Sequence, residues 1–233
     1  VKYGVQYTIK ISNYPIDKNQ VKIMIPTGTL TDNSGNTNKD TYFMAYNALK
    51  ETSSERYNWG AVEFIGNQNI QRKDIDNVTF VDNIPIDVYD KTTGEYKNDT
   101  AWDVSAVQDK SIIAWYTTNN NGALKVYIGS DSEIYGNIDS SYLFAFVGYG
   151  SECTATETIT NINLLNTSNI TNMSNMFEAT GFKAMTSLDL GDKFDTSNVV
   201  DMNNMFYNAG YTAMTSLNLG DKFDTNNVTD MSN

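Results

Sequence analysis

The chain has 233 residues, 40% of them apolar, and carries 28 acidic against 16 basic side chains for a formal charge of −12. That is length for one large domain or two ordinary ones, and enough apolar content for a packed core, which excludes wholesale disorder. The acidity disfavours phosphate backbones, no basic amphipathic stretch offers a membrane contact, and the lack of histidine beside a single cysteine, Cys153, removes the usual nucleophilic triads and any internal disulfide framework.

The polar residues are mostly Asn, Thr, Ser, Asp and Tyr, which suit strands and turns better than helix interiors. No charged segment followed by an apolar run marks a signal peptide, and no stretch approaches the ~20 apolar residues of a membrane helix. The start at Val1 and the stop inside a repeat at Asn233 read as cuts through a longer protein, with export signal and anchor expected elsewhere. Cys153 reads as a small, partly buried residue, because a nucleophilic thiol wants a neighbouring base.

Residues 1–50 alternate as strands do. Tyr3, Val5, Tyr7, Ile9 and Ile11 share one face; a second strand covers Val21–Pro26; a turn over Gly28–Asn36 precedes a third at Thr41–Tyr46. The stretch Ile25–Asn36 resembles the closing strands of bacterial immunoglobulin-like domains. The resemblance implies the C-terminal part of such a domain, completed by upstream sequence or another part of the chain. In that turn Asp32 and Asn36 are weak calcium candidates; the full calcium-loop pattern is lacking, and a turn between strands explains the same residues. No other metal or cofactor is expected.

Residues 51–98 read as connecting strands and an acidic loop, with a strand at Ile75–Val81 and turn-rich sequence over Asp82–Thr100. Residues 99–150 read as an α/β lead-in that caps the C-terminal part of the chain. Apolar residues at Ile112, Trp115 and Tyr116 have helical spacing within Asp109–Tyr116, Asn119–Gly122 is a turn, and Leu124, Val126 and Ile128 share one side of a strand.

Residues 151–233 carry the strongest signal. Asn169, Asn198 and Asn227 recur every 29 residues, as do Met173, Met202 and Met231, and Phe177 pairs with Phe206 in the same register. Such a unit cannot bury its apolar set alone, so copies must stack. Met173, Met176 and Phe177 have the spacing of a short helical face and read as a core ladder; Met185, Leu188 and Leu190 alternate as a short strand; Gly181 and Gly191 punctuate. The Asn ladder, with Asn175 and Asn204, is expected to bond neighbouring turns through its amides. A diverged copy precedes these: Ser140–Phe144 resembles Met173–Phe177 at a spacing of 33, with an insertion expected around Gly148–Thr158. Asp189, Asp192 and Asp195 could be taken for a carboxylate site, but related acids recur at Asp221 and Asp224, so they read as architectural turns.

The string Phe194–Phe206, F-D-T-S-N-V-x-D-M-x-x-M-F, resembles the repeat of BspA-like leucine-rich-repeat surface proteins and of the mycoplasma-type lipoprotein repeat family. Upstream, Ala101–Ser105, Ile112–Tyr116 and Val126–Gly129 resemble the lead-in that precedes such repeats, so the likeness covers roughly residues 70–233. It implies an α/β-capped leucine-rich-repeat-type solenoid; with the strand-favouring composition and the partial immunoglobulin-like segment before it, the expected chain is mainly β with short helices. It further implies a bacterial, extracellular cell-surface protein that adheres to a host or matrix protein or a glycan and catalyses nothing. No nucleic-acid partner and no membrane insertion by this segment are expected. Tyr207, Tyr211 and Phe182 (the equivalent of Tyr211) fall on the loop after each Met-Phe cluster and are candidate ligand contacts; ordinary packing explains them equally well. A carbohydrate-binding or carbohydrate-active accessory module and a structural spacer are the alternative functions.

Overall fold

The computed structural model describes residues 20–25, 41–52 and 63–233. The chain divides into two compact units, residues 1–46 and 47–233. In the first, β1 (Gln20–Ile25) and β2 (Thr41–Tyr46) pair antiparallel, with Gln20 opposite Tyr46 and Ile25 opposite Thr41. The expected strand over residues 3–12 and the calcium candidates Asp32 and Asn36 lie outside the described residues.

The second unit begins with a mixed five-stranded sheet. β3 (Ile75–Val81) is followed by a short hairpin, β4 (Tyr89–Asp90) with β5 (Glu95–Tyr96), then by β6 (Trp102–Asp103), β7 (Ile113–Thr118), β8 (Leu124–Gly129), β9 (Ile134–Tyr135) and β10 (Ile159–Thr160). Its order is β10-β3-β8-β7-β6; β3 runs parallel to β10 and β8, while β7 runs antiparallel to β8 and β6. The Asn119–Gly122 turn joins β7 to β8, its Asn119 carboxamide accepting from the Ala123 N–H at 3.0 Å.

The helix expected over Asp109–Tyr116 is strand β7 instead. Both faces of the sheet are covered: Ile112, Ala114, Val126 and Ile128 enter the main core, while Ile113 and Trp115 pack with Ile84, Val88 and Tyr89 on the other side. A strand buried on both faces shows a continuous apolar run, and such a run mimics helical spacing. The cover on that second face is the segment expected to be an acidic loop, closed by Lys110, whose Nζ lies 5.4 Å from the Tyr89 ring centre and 5.0 Å from that of Tyr96. Among the described residues the only helical elements are two three-residue 3-10 turns, Arg72–Asp74 and Ile162–Leu164, so the chain is mainly β and the α/β character expected of the lead-in is absent there.

From β9 onward the copies stack. β9 pairs parallel with β11 (Leu165–Asn166), and β12 (Ser187–Asp189) with β13 (Ser216–Asn218) in register, Leu188 beside Leu217. Asp139, Asn172, Asp201 and Asp230 form successive parallel bridges. The diverged first copy takes its expected place, because the Phe144 ring stacks on Phe177 at 5.4 Å, and Phe177 stacks on Phe206 at 5.4 Å. Met173, Met176 and Phe177 are fully buried, as a core ladder requires.

The short helix expected around those residues does not form. The N–H groups of Met173, Asn175, Phe177 and Ala179 donate to Asp201, Asn203, Met205 and Tyr207 of the next copy, at 2.8–2.9 Å. Between them Met176, Glu178 and Thr180 donate three residues back, to Met173, Asn175 and Phe177. Every second N–H is thus committed across copies, which breaks the consecutive i→i−4 series an α-helix needs. The resulting spiral needs left-handed residues: Asn175 has φ 57° and Asn204 φ 54°, a conformation Asn tolerates through its short polar side chain. These two asparagines bond the next copy through backbone N–H groups, not through their amides as expected. Gly181 and Gly210 (φ 59° and 56°) close the spiral, and a Cβ on either would run into the Met185 or Met214 side chain.

Side chains extend the same logic. Asn169, Asn198 and Asn227 donate to the carbonyls of Gly136, Ser168 and Ser197 in the preceding copy, at 2.9, 2.7 and 2.6 Å. Thr196 donates to the Asp224 carbonyl and accepts from the Asp224 N–H, both at 2.7 Å; Thr167 does the same with Asp195.

Candidate functional site

The outer loop of each copy follows the buried Met-Phe cluster and is aimed by it. After Phe177 and Phe206 the segment alternates between the small buried side chains of Ala179, Thr180 and Ala209 and larger part-exposed or exposed ones, and Phe182 and Tyr149 pack against a small cluster of Ala145, Phe146 and Ala179. Phe182 and Tyr211 occupy equivalent places and stack, ring centres 5.1 Å apart and planes at 13°. Tyr149 extends the column on the other side, 4.9 Å from Phe182, and Phe146 lies edge-on to Tyr149 at 5.8 Å. Tyr149 stands 33 residues before Phe182, the spacing already set by Phe144 and Phe177, so the sequence candidates omit a member that spacing alone makes legible.

Tyr211 ends the column and is 70% exposed, whereas Phe182 is half-buried between two rings. Tyr207 is 48% exposed but belongs to a different column, that of Ala145 and Glu178. Among the described residues its ring touches no other aromatic ring. Of the three candidates, two come together and the third stands apart. Burial pushes the Glu178 carboxyl above its ordinary range, since a half-buried carboxylate loses hydration.

Beside Tyr149 a cleft of about 390 Å³ opens where the sheet meets the first copy. Asn69, Gln71, Lys73 and Asp74 line it from the segment before β3; Tyr149, Gly150, Glu152 and Lys183 line it from the repeats. Its frame is rigid. The Gly150 N–H donates to the Lys73 carbonyl at 2.8 Å, and a Cβ on Gly150 would collide with that oxygen. Arg72, 1% exposed, donates to the carbonyls of Tyr142 at 2.7 Å, Leu143 at 3.1 Å and Ala145 at 3.3 Å, and its guanidinium lies 5.3 Å from the Phe64 ring centre. The sheet's leading edge is thereby clamped to the first turn of the stack. The expected insertion sits here, between Val147, whose carbonyl accepts from Gly181, and Thr156, whose carbonyl accepts from Thr186. It wraps Asp76, whose carboxylate accepts from Thr154 and Ala155 at 2.6 and 2.7 Å.

Cys153 lies within this insertion, buried, its Sγ 3.3 Å from the Lys73 carbonyl; burial pushes the thiol up to about 12, out of reach of nucleophilic use near neutrality. A second groove of about 420 Å³ includes Glu157, Asp189 and Asp192. Asp189 accepts there from the Gly191 N–H at 2.8 Å and the Asn218 amide at 3.0 Å, the architectural turn read from the repeat period. Asp195 likewise accepts from the Ser197 hydroxyl and N–H at 2.6 and 2.9 Å, and these bonds, the hydroxyl first, hold its carboxyl below the ordinary range. Among the described residues no three His, Cys, Asp or Glu side chains cluster as metal ligands would, and no helix is long and apolar enough to cross a membrane.

No curated protein and no solved structure matches this chain. Residues 148–233, which run from the edge of the cleft through the stacked copies, match the family model described as "Mycoplasma protein of unknown function, DUF285".

Proposed function

We propose that this chain is a non-enzymatic binding segment of a bacterial cell-surface protein, in which a solenoid of leucine-rich-type repeats presents its outer loops to a host or matrix macromolecule. One observation carries the reading. The copies at 167–195 and 196–224 keep their Met, Phe and Leu ladder and differ at ten positions, five of them in the segment after the Met-Phe cluster, among them the part-exposed or exposed pairs Glu178 against Tyr207, Phe182 against Tyr211 and Lys183 against Thr212. A scaffold that holds its core ladder and varies side chains at its surface is how repeat proteins tune a contact surface. Tyrosine serves such surfaces well, giving large amphipathic contact at low entropic cost. The immunoglobulin-like reading of residues 1–50 fits a surface protein built of modules in series.

The test is a binding screen of the chain against extracellular-matrix proteins and glycans, beside a Tyr207→Ala/Tyr211→Ala double variant. Binding that the variant loses supports the loops as the contact. Binding that survives moves the site elsewhere, and a folded chain that binds nothing supports a spacer. A carbohydrate-binding accessory role is the second reading, favoured by the cleft beside Tyr149, which combines an aromatic ring with carboxamide and charged side chains.

A further inference from the structure

The cleft at the junction of sheet and repeats is lined by Lys73 and Lys183, and among the described residues neither has an ion-pair or hydrogen-bond partner for its side chain. Neither lysine is paired with the two carboxylates of the lining, Asp74 and Glu152, so both remain available to an anion.

The rest of the lining narrows the anion. Asn69 and Gln71 each bring a carboxamide, donor and acceptor together, and Asp74 and Glu152 bring acceptor-only carboxylates. Carboxylates suit hydroxyl donors and oppose a doubly charged phosphate. The Tyr149 ring supplies an apolar surface at the edge. Two ammoniums for one carboxylate, carboxamides and carboxylates for hydroxyls, and an aromatic edge for C–H groups together match one chemistry, an acidic sugar.

We propose that this cleft binds a carboxylate-bearing sugar of an acidic glycan, a uronic or sialic acid residue, with Lys73 and Lys183 on its carboxylate. The proposal rests on the binding-segment reading and names one ligand class for it. The site is held ready before any ligand arrives: Lys73 stands on a turn pinned by Gly150 and by the Arg72 clamp, and Lys183 follows Phe182, which is locked between Tyr149 and Tyr211. Preorganisation of this kind lowers the cost of binding.

The experiment is an amide NMR titration of the full chain with glucuronic acid and with N-acetylneuraminic acid, beside glucose and inorganic phosphate. Saturable shifts confined to residues 149–152, 183 and 69–74 are expected for at least one acid, with glucose and phosphate at least about tenfold weaker. Lys183→Met and Lys73→Met should each weaken the acid about tenfold, the value of one charge-assisted hydrogen bond. Lys183 is exposed, so its replacement leaves the fold intact, and an unchanged spectrum away from the cleft checks this. No saturable shift for either acid, equal binding by the lysine variants, or phosphate binding as tightly as the sugars overturns the proposal. The outer-loop reading is judged separately, by the Tyr207→Ala/Tyr211→Ala screen, which leaves both lysines in place.

Discussion

The lead-in sheet and the repeat stack solve the same problem in different ways. In the sheet, β3, β7 and β8 satisfy their backbones along extended ladders, and unlike side chains such as Phe80, Trp115 and Ile128 interlock on two faces. In the stack there is little strand. Turns are joined copy to copy through alternate N–H groups, and like residues sit on like: Phe144 on Phe177 on Phe206, Asn198 and Asn227 each on the carbonyl of the copy before. The sheet depends on shape complementarity between different residues, whereas the stack depends on repetition, so one substitution there meets the same contact on both sides. Arg72 joins the two regimes.

That comparison can be broken at several points. The largest effect is expected from Phe177→Ala, which opens a cavity in the column between two stacked rings and should lower stability by about 3–5 kcal/mol in urea denaturation; a loss under 1 kcal/mol would mean that the aromatic column is not the core of the stack. Arg72→Met removes the clamp and takes its donor from the carbonyls of Glu63, Leu143 and Ala145 (that of Tyr142 keeps the Ala145 N–H), and a loss of about 2–4 kcal/mol is expected, with hydrogen exchange rising first in residues 142–150. Exchange rising evenly over the whole unit would show that Arg72 is not specific to the junction. Thr196→Val leaves both the N–H and the carbonyl of Asp224 without their partner and should lose about 1–2 kcal/mol. Tyr211→Ala, at an exposed column end, should change stability by no more than about 0.5 kcal/mol, so that any loss of binding reports contact and not folding.

Acid offers a finer probe. Asp195 has a depressed folded pKa, so its contribution is present above the unfolded carboxylate pKa near 3.9 and is lost as pH falls through the lower folded value. Glu178 has a raised one, so its contribution has the opposite sign, complete below about pH 4 and lost as pH rises through the folded value. Asp195→Asn should flatten the acid limb of a stability profile below about pH 4, and Glu178→Gln should flatten the change above it; identical profiles for wild type and both variants would show that neither carboxyl feels its turn.

The repeat period, the core membership of Met173, Met176 and Phe177, the diverged copy at Phe144 and the strands β3 and β8 were all legible in the sequence, because each rests on spacing within one segment. Spacing could not say that the Met-Phe cluster forms turns instead of a helix. That choice depends on whether the N–H groups bond within the chain segment or to the next copy, and only stacking supplies the second partner. Nor could it separate strand β7 from a helix, since the hairpin that covers its outer face arrives from elsewhere in the chain. Of the candidate contacts, the 29-residue period brought Phe182 and Tyr211 together, but Tyr207 fell in another column and Tyr149 joined theirs. The cleft was invisible, because Lys73 and Lys183 are 110 residues apart and come to line one cleft only through the Gly150 contact and the buried Arg72. Local sequence determined what repeats and what is buried; which backbone group bonds which, and which distant charges share a cavity, were decided by tertiary contacts no single segment contains.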